Sequence, residues 1–143
     1  MNPLRWLRQY PLLYLWLPLV AWMGLIFYLS AQPDFPRPSS DFLEDLLGIG
    51  AHICLFAVLA ALWGRALHAA GYRVVLALLF TLLYALLDEF HQSFVPGRTA
   101  DPLDLLWDGL GAALGLAAWA WWRSRRAGRE GIPSVAVEPE DGC

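Results

Sequence analysis

The sequence has no lysine and carries little charge of either sign. All ten basic residues are arginine, and with 13 acidic residues the net charge is -3. A charge this small and this mixed excludes the extended basic surface that nucleic-acid binding needs. The two cysteines, Cys54 in an apolar run and Cys143 at the C-terminus, lack the spacing of a disulfide framework or a zinc site. HExxH and P-loop motifs are also absent.

Apolar residues dominate the sequence. They make up 58% of the 143 residues, including eight tryptophans, which is more than a water-soluble fold of this length can bury. A helix needs about 20 apolar residues to cross a bilayer. Four segments reach that length: Leu12 to Ala31, Leu47 to Leu67, Arg73 to Phe94 and Pro102 to Trp122. We therefore predict an all-α integral membrane protein, a four-transmembrane-helix bundle.

The distribution of arginine predicts the orientation of this bundle. Eight arginines lie before span one, around the turn between spans two and three, and after span four, whereas Arg37 and Arg98 lie on the other side. Cytoplasmic loops carry an excess of basic residues, so both termini are predicted to be cytoplasmic. No small-residue cleavage pattern accompanies the first apolar run, so we expect span one to be retained.

The loops and termini complete the predicted organisation. A proline-rich outer loop follows span one, and the apolar and acidic spacing from Asp41 to Leu47 predicts a short interfacial helix there. Residues 1–11 are a cytoplasmic N-terminus, residues 12–122 the membrane domain, and residues 123–143 a cytoplasmic tail that is basic and then disordered.

Four carboxylates lie in or at the ends of the third and fourth spans: Asp88, Glu89, Asp104 and Asp108. Ionisable side chains in membrane segments are costly, and they mark ion pairs, wet cavities or chemistry. Asp88 lies about six residues before the end of span three and Asp108 about six after the start of span four, so both lie about 9 Å below the same boundary. His52 has a similar depth in span two. We predict that these groups converge into one outward-facing polar layer.

Helix periodicity sorts the residues of span three by face. Residues three or four apart lie on the same side of a helix, so Asp88, His91 and Gln92 share one stripe. Glu89 is rotated by about 100° from Asp88 and is predicted to face a different neighbour. Span one adds Tyr28, Ser30 and Gln32 near its outer end.

Structural roles compete with functional ones. Asp101 before Pro102 is typical of a helix N-cap. Asp88 and Asp108 lie more than one turn inside their spans, so the structural alternative for them is a polar network that holds the helices together. Small residues on span four predict close helix packing that needs no ionic contribution: Gly109, Gly111, Ala112 and Gly115.

A longer motif contains most of these residues: Asp88-Glu89-Phe90-His91-Gln92-Ser93-Phe94-Val95-Pro96-Gly97-Arg98, then Asp101, Asp104, Asp108 and Gly111. With Ser30-Ala31-Gln32-Pro33 and the isolated His52, it resembles the signature of the VanZ-like family over roughly Trp22 to Leu116. The chain departs from the pattern before the histidine, where Gly48-Ile49-Gly50-Ala51 replaces the expected acidic residue and lysine. The resemblance implies a small bacterial inner-membrane protein. Some members are linked to resistance to teicoplanin-type glycopeptide antibiotics, but the resemblance implies no established reaction.

Two functions suit the polar layer. The first is binding or modulating a lipid-linked envelope component, such as a cell-wall precursor or a phospholipid, without a cofactor. Its ligand-binding residues are His52, Asp88, Glu89, His91, Gln92, Arg98, Asp104 and Asp108. The alternative is a metal-dependent hydrolase or transferase for a phospholipid or polyprenyl phosphate, with Mg, Mn or Zn held by acids and histidine of facing helices. A third possibility, proton-coupled transport, is disfavoured because the cytoplasmic halves of the spans are almost purely apolar.

Overall fold

The computed structural model describes residues 11–32, 41–97 and 101–130. This part of the chain consists of four α-helices without strands: α1 (Pro11–Ser30), α2 (Asp41–Ala69), α3 (Val75–Gln92) and α4 (Pro102–Glu130). Each helix contains a stretch long and apolar enough to cross a membrane. The chain is thus an all-α, multi-pass membrane protein with the predicted four-helix architecture.

Two helices are longer than the predicted spans. The Asp41–Leu47 stretch is helical as predicted, but it forms the first turns of α2 without a break. α4 continues past Trp122 to Glu130, because the residues after the apolar run contain no proline that would stop it. The predicted disorder of residues 131–143 and most of the predicted N-terminal segment lie outside the described residues.

Pro18 lies inside α1 and removes one backbone hydrogen bond, since proline has no N–H to donate to the carbonyl four residues earlier. That carbonyl belongs to Tyr14, and it accepts a hydrogen bond of 3.1 Å from Nη2 of Arg65 on α2. A second contact joins the same helices, because Trp22 Nε1 donates to the Leu55 carbonyl at 2.9 Å. The Arg65 side chain therefore satisfies the carbonyl that Pro18 leaves without its helical partner, as neighbouring helices do for proline-containing membrane helices.

The start of α4 and the end of α2 follow standard capping chemistry. The Asp101 side chain accepts a hydrogen bond of 2.9 Å from the Leu103 N–H, which confirms that Asp101 is the N-cap of α4 with Pro102 as the first helical residue. α2 ends at Ala69, and Gly71 follows two residues later with a φ of 81°, which suits glycine. The adjacent Tyr72 N–H donates to the Leu67 carbonyl at 2.9 Å, as in a Schellman motif.

The small residues of α4 set its distance from α2. A Cβ atom added at Gly111 would clash with the Ile53 carbonyl oxygen, and one added at Gly115 would clash with that of Ala57. At Gly109, by contrast, the nearest atom is Leu82 Cδ2 at 3.6 Å, which is ordinary contact. The predicted close approach is thus confirmed for two of the three glycines.

Apolar packing divides the bundle into an interior and a lipid-facing surface. The buried core lies where α1, α2 and α3 meet: Leu19, Ile26, Phe56, Leu59 and Ala85. Large apolar residues such as Leu17, Leu83 and Leu114 are exposed, as expected for side chains that face lipid tails.

Candidate functional site

The sequence-predicted polar residues meet at one end of the bundle, where α1 and α3 end and α2 and α4 begin. We call this region the polar end, and its members are Ser30, His52, Asp88, Glu89, His91, Gln92, Asp104 and Asp108. All four helices contribute, because their alternating direction brings residues distant in sequence to one depth. The predicted convergence is therefore present.

His52 of α2 lies between two carboxylates of α4. Its Nδ1 is 2.8 Å from Oδ1 of Asp108, and its Nε2 is 3.5 Å from Oδ2 of Asp104. Asp108 is 2% exposed, so its contact with His52 is shielded from the surroundings. The contact depends on the glycine face of α4, because Gly111 packs on Ile53, the residue next to His52.

A second cluster joins α3 to α1 around Asp88. Oδ2 of Asp88 accepts hydrogen bonds from the Ser30 hydroxyl at 2.7 Å and from Gln92 Nε2 at 2.9 Å. Asp88 and Gln92 are both buried, as their shared helix stripe predicted. Asp88 also interacts electrostatically with His52 and Asp108, so the two clusters form one layer.

Glu89 and His91 point to different neighbours. Glu89 interacts with Asp101 and Asp104 at the start of α4, as its rotation away from Asp88 predicted. The His91 ring stacks on Phe27 of α1, with ring centroids 4.3 Å apart and an interplanar angle of 24°. The last turns of α3 therefore present polar groups to both α1 and α4.

Three buried polar atoms of these α3 residues have no hydrogen-bond partner within the described part of the chain: Asp88 Oδ1, Glu89 Oε1 and His91 Nε2. Buried polar atoms are nearly always paired, and two of these three are carboxyl oxygens, which accept hydrogen bonds when ionised. The polar end also contains four carboxyl groups but only two imidazoles. This arrangement suits a ligand that brings hydrogen-bond donors or positive charge.

A divalent-metal site is the other chemistry that the sequence suggested. Among the described residues, no three His, Cys, Asp or Glu side chains form a group arranged to hold a metal ion. Of the acids and histidines on facing helices, Asp88 contacts Ser30 and His91 stacks on Phe27, so these two side chains have separate partners. The Mg, Mn or Zn alternative stays a prediction.

Arg98, one of the predicted ligand-binding residues, lies outside the described residues, so its role stays a prediction. Ser30 was expected at the right depth but not as a site residue, although its hydroxyl bonds to Asp88. Tyr84, one turn before Asp88, donates to the Met23 carbonyl at 2.6 Å, and a main-chain acceptor of this kind leaves no signal in the sequence.

Comparison with known proteins identifies a family. The model of the VanZ/LLP1 family matches residues 15–123, a range that includes all of the polar end. Searches of curated proteins and of solved structures returned no match. Since the family model matches well over half of the sequence and includes the motif from Asp88 to Asp108, the chain belongs to the VanZ/LLP1 family.

Proposed function

We propose that this protein, in a bacterial inner membrane, binds or modulates a lipid-linked component of the cell envelope through its polar end and so affects susceptibility to teicoplanin-type glycopeptides. The observation that carries the proposal is the set of three unpartnered, buried polar atoms on Asp88, Glu89 and His91. Family membership supports a membrane protein with a possible link to glycopeptide resistance.

The chemistry of the polar end fits a ligand with a polar head and an apolar chain. Carboxylates form strong hydrogen bonds with the ammonium and hydroxyl groups of such a head. Phe90 and Leu87, beside Asp88 and Glu89 on α3, are 65% and 56% exposed, and they offer an apolar surface for a lipid chain at the same level. Arg98, three residues before the N-cap of α4, is the proposed contact for a phosphate.

The two hydrogen-bonded clusters have a positioning role in this proposal. His52 is held by Asp108, and Asp88 is held by Ser30 and Gln92. Side chains fixed in this way lose little conformational entropy when a ligand binds. The predicted orientation puts the polar end on the outer face of the membrane, where glycopeptides and their targets are found.

The proposal is tested by measuring how well a glycopeptide-sensitive host that expresses the protein tolerates teicoplanin. Expression of the wild type should raise the inhibitory concentration of teicoplanin, and Asp88→Asn, Asp108→Asn and Arg98→Ala should abolish that increase. Asp101→Asn is the matched control, because it removes an exposed acid of α4 at a position where asparagine also caps a helix. Membrane abundance must be equal for all variants. Full tolerance in Asp88→Asn and Asp108→Asn would rule out a role for the polar end.

Lipid identification tests the binding step independently of tolerance. A lipid-linked envelope component should co-purify with the wild type, be detected by mass spectrometry, and be lost from Asp88→Asn but not from Asp101→Asn. Equal lipid content in these three proteins would contradict the proposal. Stoichiometric divalent metal that disappears in Asp108→Asn would instead favour the metal-dependent hydrolase or transferase.

A further inference from the structure

The C-terminal part of α4 contains three tryptophan–arginine pairs, each separated by four residues. The Arg123 guanidinium carbon lies 5.3 Å from the Trp119 ring centroid, that of Arg125 lies 4.0 Å from Trp121, and that of Arg126 lies 3.9 Å from Trp122. Residues four apart lie on one helix face, and these distances are typical of cation–π contacts. The repeated spacing therefore stacks each guanidinium on an indole.

The pairs differ in what else they contact. Arg123 Nη1 also contacts His68 Nε2 of α2 at 2.9 Å, so the first pair joins two helices. The other two pairs are exposed: Trp121 is 56% and Trp122 is 47% accessible, and the arginines are exposed beside them. Arg125 and Arg126 thus present their guanidinium groups to the surroundings of the protein.

Among the side chains that the structure describes, no carboxylate forms an ion pair with these arginines. The ion pairs found there involve only His52 with Asp104 and Asp108, at the opposite end of the bundle. Arg65, another arginine of this end, uses its Nη2 on backbone carbonyls of α1. An arginine held at a membrane boundary without a carboxylate is suited to an external anion.

The depth of the exposed pairs is set by the helix rise. Trp121 lies about 20 residues beyond Asp101, the N-cap at the polar end, and at about 1.5 Å per residue this is about 30 Å along α4. The hydrocarbon of a bilayer is about 30 Å thick. With Asp101 at one boundary, Trp121 and Trp122 lie at the other, where tryptophan is enriched. Arg125 and Arg126 then lie among the lipid headgroups.

We propose that Arg125 and Arg126, stacked on Trp121 and Trp122, bind the phosphate of an anionic phospholipid headgroup at the end of the bundle opposite the polar end. The stacked indole covers one face of each guanidinium and leaves its N–H edge to bond phosphate oxygens in pairs. The indoles lie where the glycerol and upper acyl chain of the same lipid lie. This site is independent of the ligand proposed for the polar end.

Lipid titration of the purified full chain tests this site. The protein in neutral detergent is titrated with phosphatidylglycerol or with phosphatidylcholine, and bound lipid is counted by native mass spectrometry. The wild type should bind phosphatidylglycerol more tightly than phosphatidylcholine. Arg126→Gln should lower the phosphatidylglycerol affinity about fivefold, and Arg125→Gln with Arg126→Gln about 25-fold. Phosphatidylcholine binding should not change.

Matched variants separate a built site from general charge attraction. Arg73→Gln removes one exposed arginine of the same end that has no tryptophan partner among the described residues, and it should leave the affinity unchanged. The double replacement Arg125→Lys and Arg126→Lys keeps the charge but loses the planar, bidentate group, and it should weaken binding. The proposal would be overturned if Arg73→Gln lowered the phosphatidylglycerol affinity as much as Arg126→Gln does. Wild-type affinity in the lysine variant would also overturn it. So would a wild type without preference for phosphatidylglycerol, as expected if acidic tail residues such as Glu138 and Glu140 occupy the arginines.

Discussion

The two carboxylates beside His52 differ in how well they hold it. Asp108 is 2.8 Å from Nδ1 and its side chain is 2% exposed, whereas Asp104 is 3.5 Å from Nε2 and 27% exposed. Hydrogen bonds strengthen as water is excluded and weaken steeply with distance. Asp108 is therefore the principal partner of His52, and Asp104 is the carboxylate better placed to exchange His52 for a ligand.

This difference predicts two unequal coupling energies. In a double-mutant cycle for the free energy of unfolding, His52→Ala and Asp108→Ala should be coupled by about 1 kcal/mol, within the range measured for hydrogen bonds between membrane helices. The cycle of His52→Ala with Asp104→Ala should give less than half of that. Reversible unfolding of the purified protein in mixed micelles provides the measurement. Additive effects of His52→Ala and Asp108→Ala would show that the contact contributes nothing to stability.

At the scale of helices, the α2–α4 contact determines the geometry of the polar end. Gly111 lies one turn after Asp108, and its contact partner Ile53 follows His52. The distance between the two helix backbones and the distance between the His52 and Asp108 side chains are therefore linked. Glycine is required there because two backbones approach, not because of an unusual φ angle.

Two glycine-to-alanine substitutions on α4 should consequently have opposite effects. Gly111→Ala places a methyl group against the Ile53 carbonyl, and overpacking of this kind costs about 1–3 kcal/mol of unfolding free energy. Gly109→Ala meets only the flexible end of Leu82 at 3.6 Å, so the higher helix propensity of alanine should stabilise α4 by up to about 1 kcal/mol. Unfolding in mixed micelles measures both. A destabilisation of the same size in the two variants would contradict the close helix approach.

At the scale of the whole molecule, polar and basic groups occupy opposite ends. The acids and His52 lie where α2 and α4 begin, whereas Arg123, Arg125 and Arg126 lie near the end of α4. By the positive-inside rule, we expect the basic end of a chain with this asymmetry to face the cytoplasm. The proposed outward position of the polar end depends on that rule.

Cysteine labelling in intact cells tests the orientation. In a variant with Cys54→Ala and Cys143→Ser, we expect Ser93→Cys, exposed beside the polar end, to react with a membrane-impermeant maleimide added outside. Tyr72→Cys, exposed in the turn between α2 and α3, should react only after the cells are permeabilised. The reverse pattern would put the polar end in the cytoplasm and remove the proposed access to glycopeptides and their targets.

The sequence was sufficient to predict the four helices of this protein and the depth of their polar residues along the helix axes. Apolar runs of bilayer length predicted the four helices, and Asp101 with Pro102 predicted the start of α4, because both signals are local. Depth also followed from the sequence, since the helix rise is constant and Asp88, His52 and Asp108 could be counted from their span ends. The continuation of α4 to Glu130 was missed, because polar residues can extend a helix beyond the hydrocarbon.

Only the tertiary structure decided which polar groups meet. Rotation of each helix about its axis depends on side-chain packing between helices, such as the fit of Gly111 on Ile53, and depth carries no information about it. For that reason the sequence could place Asp88 and His52 at one level but could not pair Asp88 with Ser30 or His52 with Asp108. Composition and spacing thus determined what can cross the membrane and at which level, and packing determined the contacts that form there.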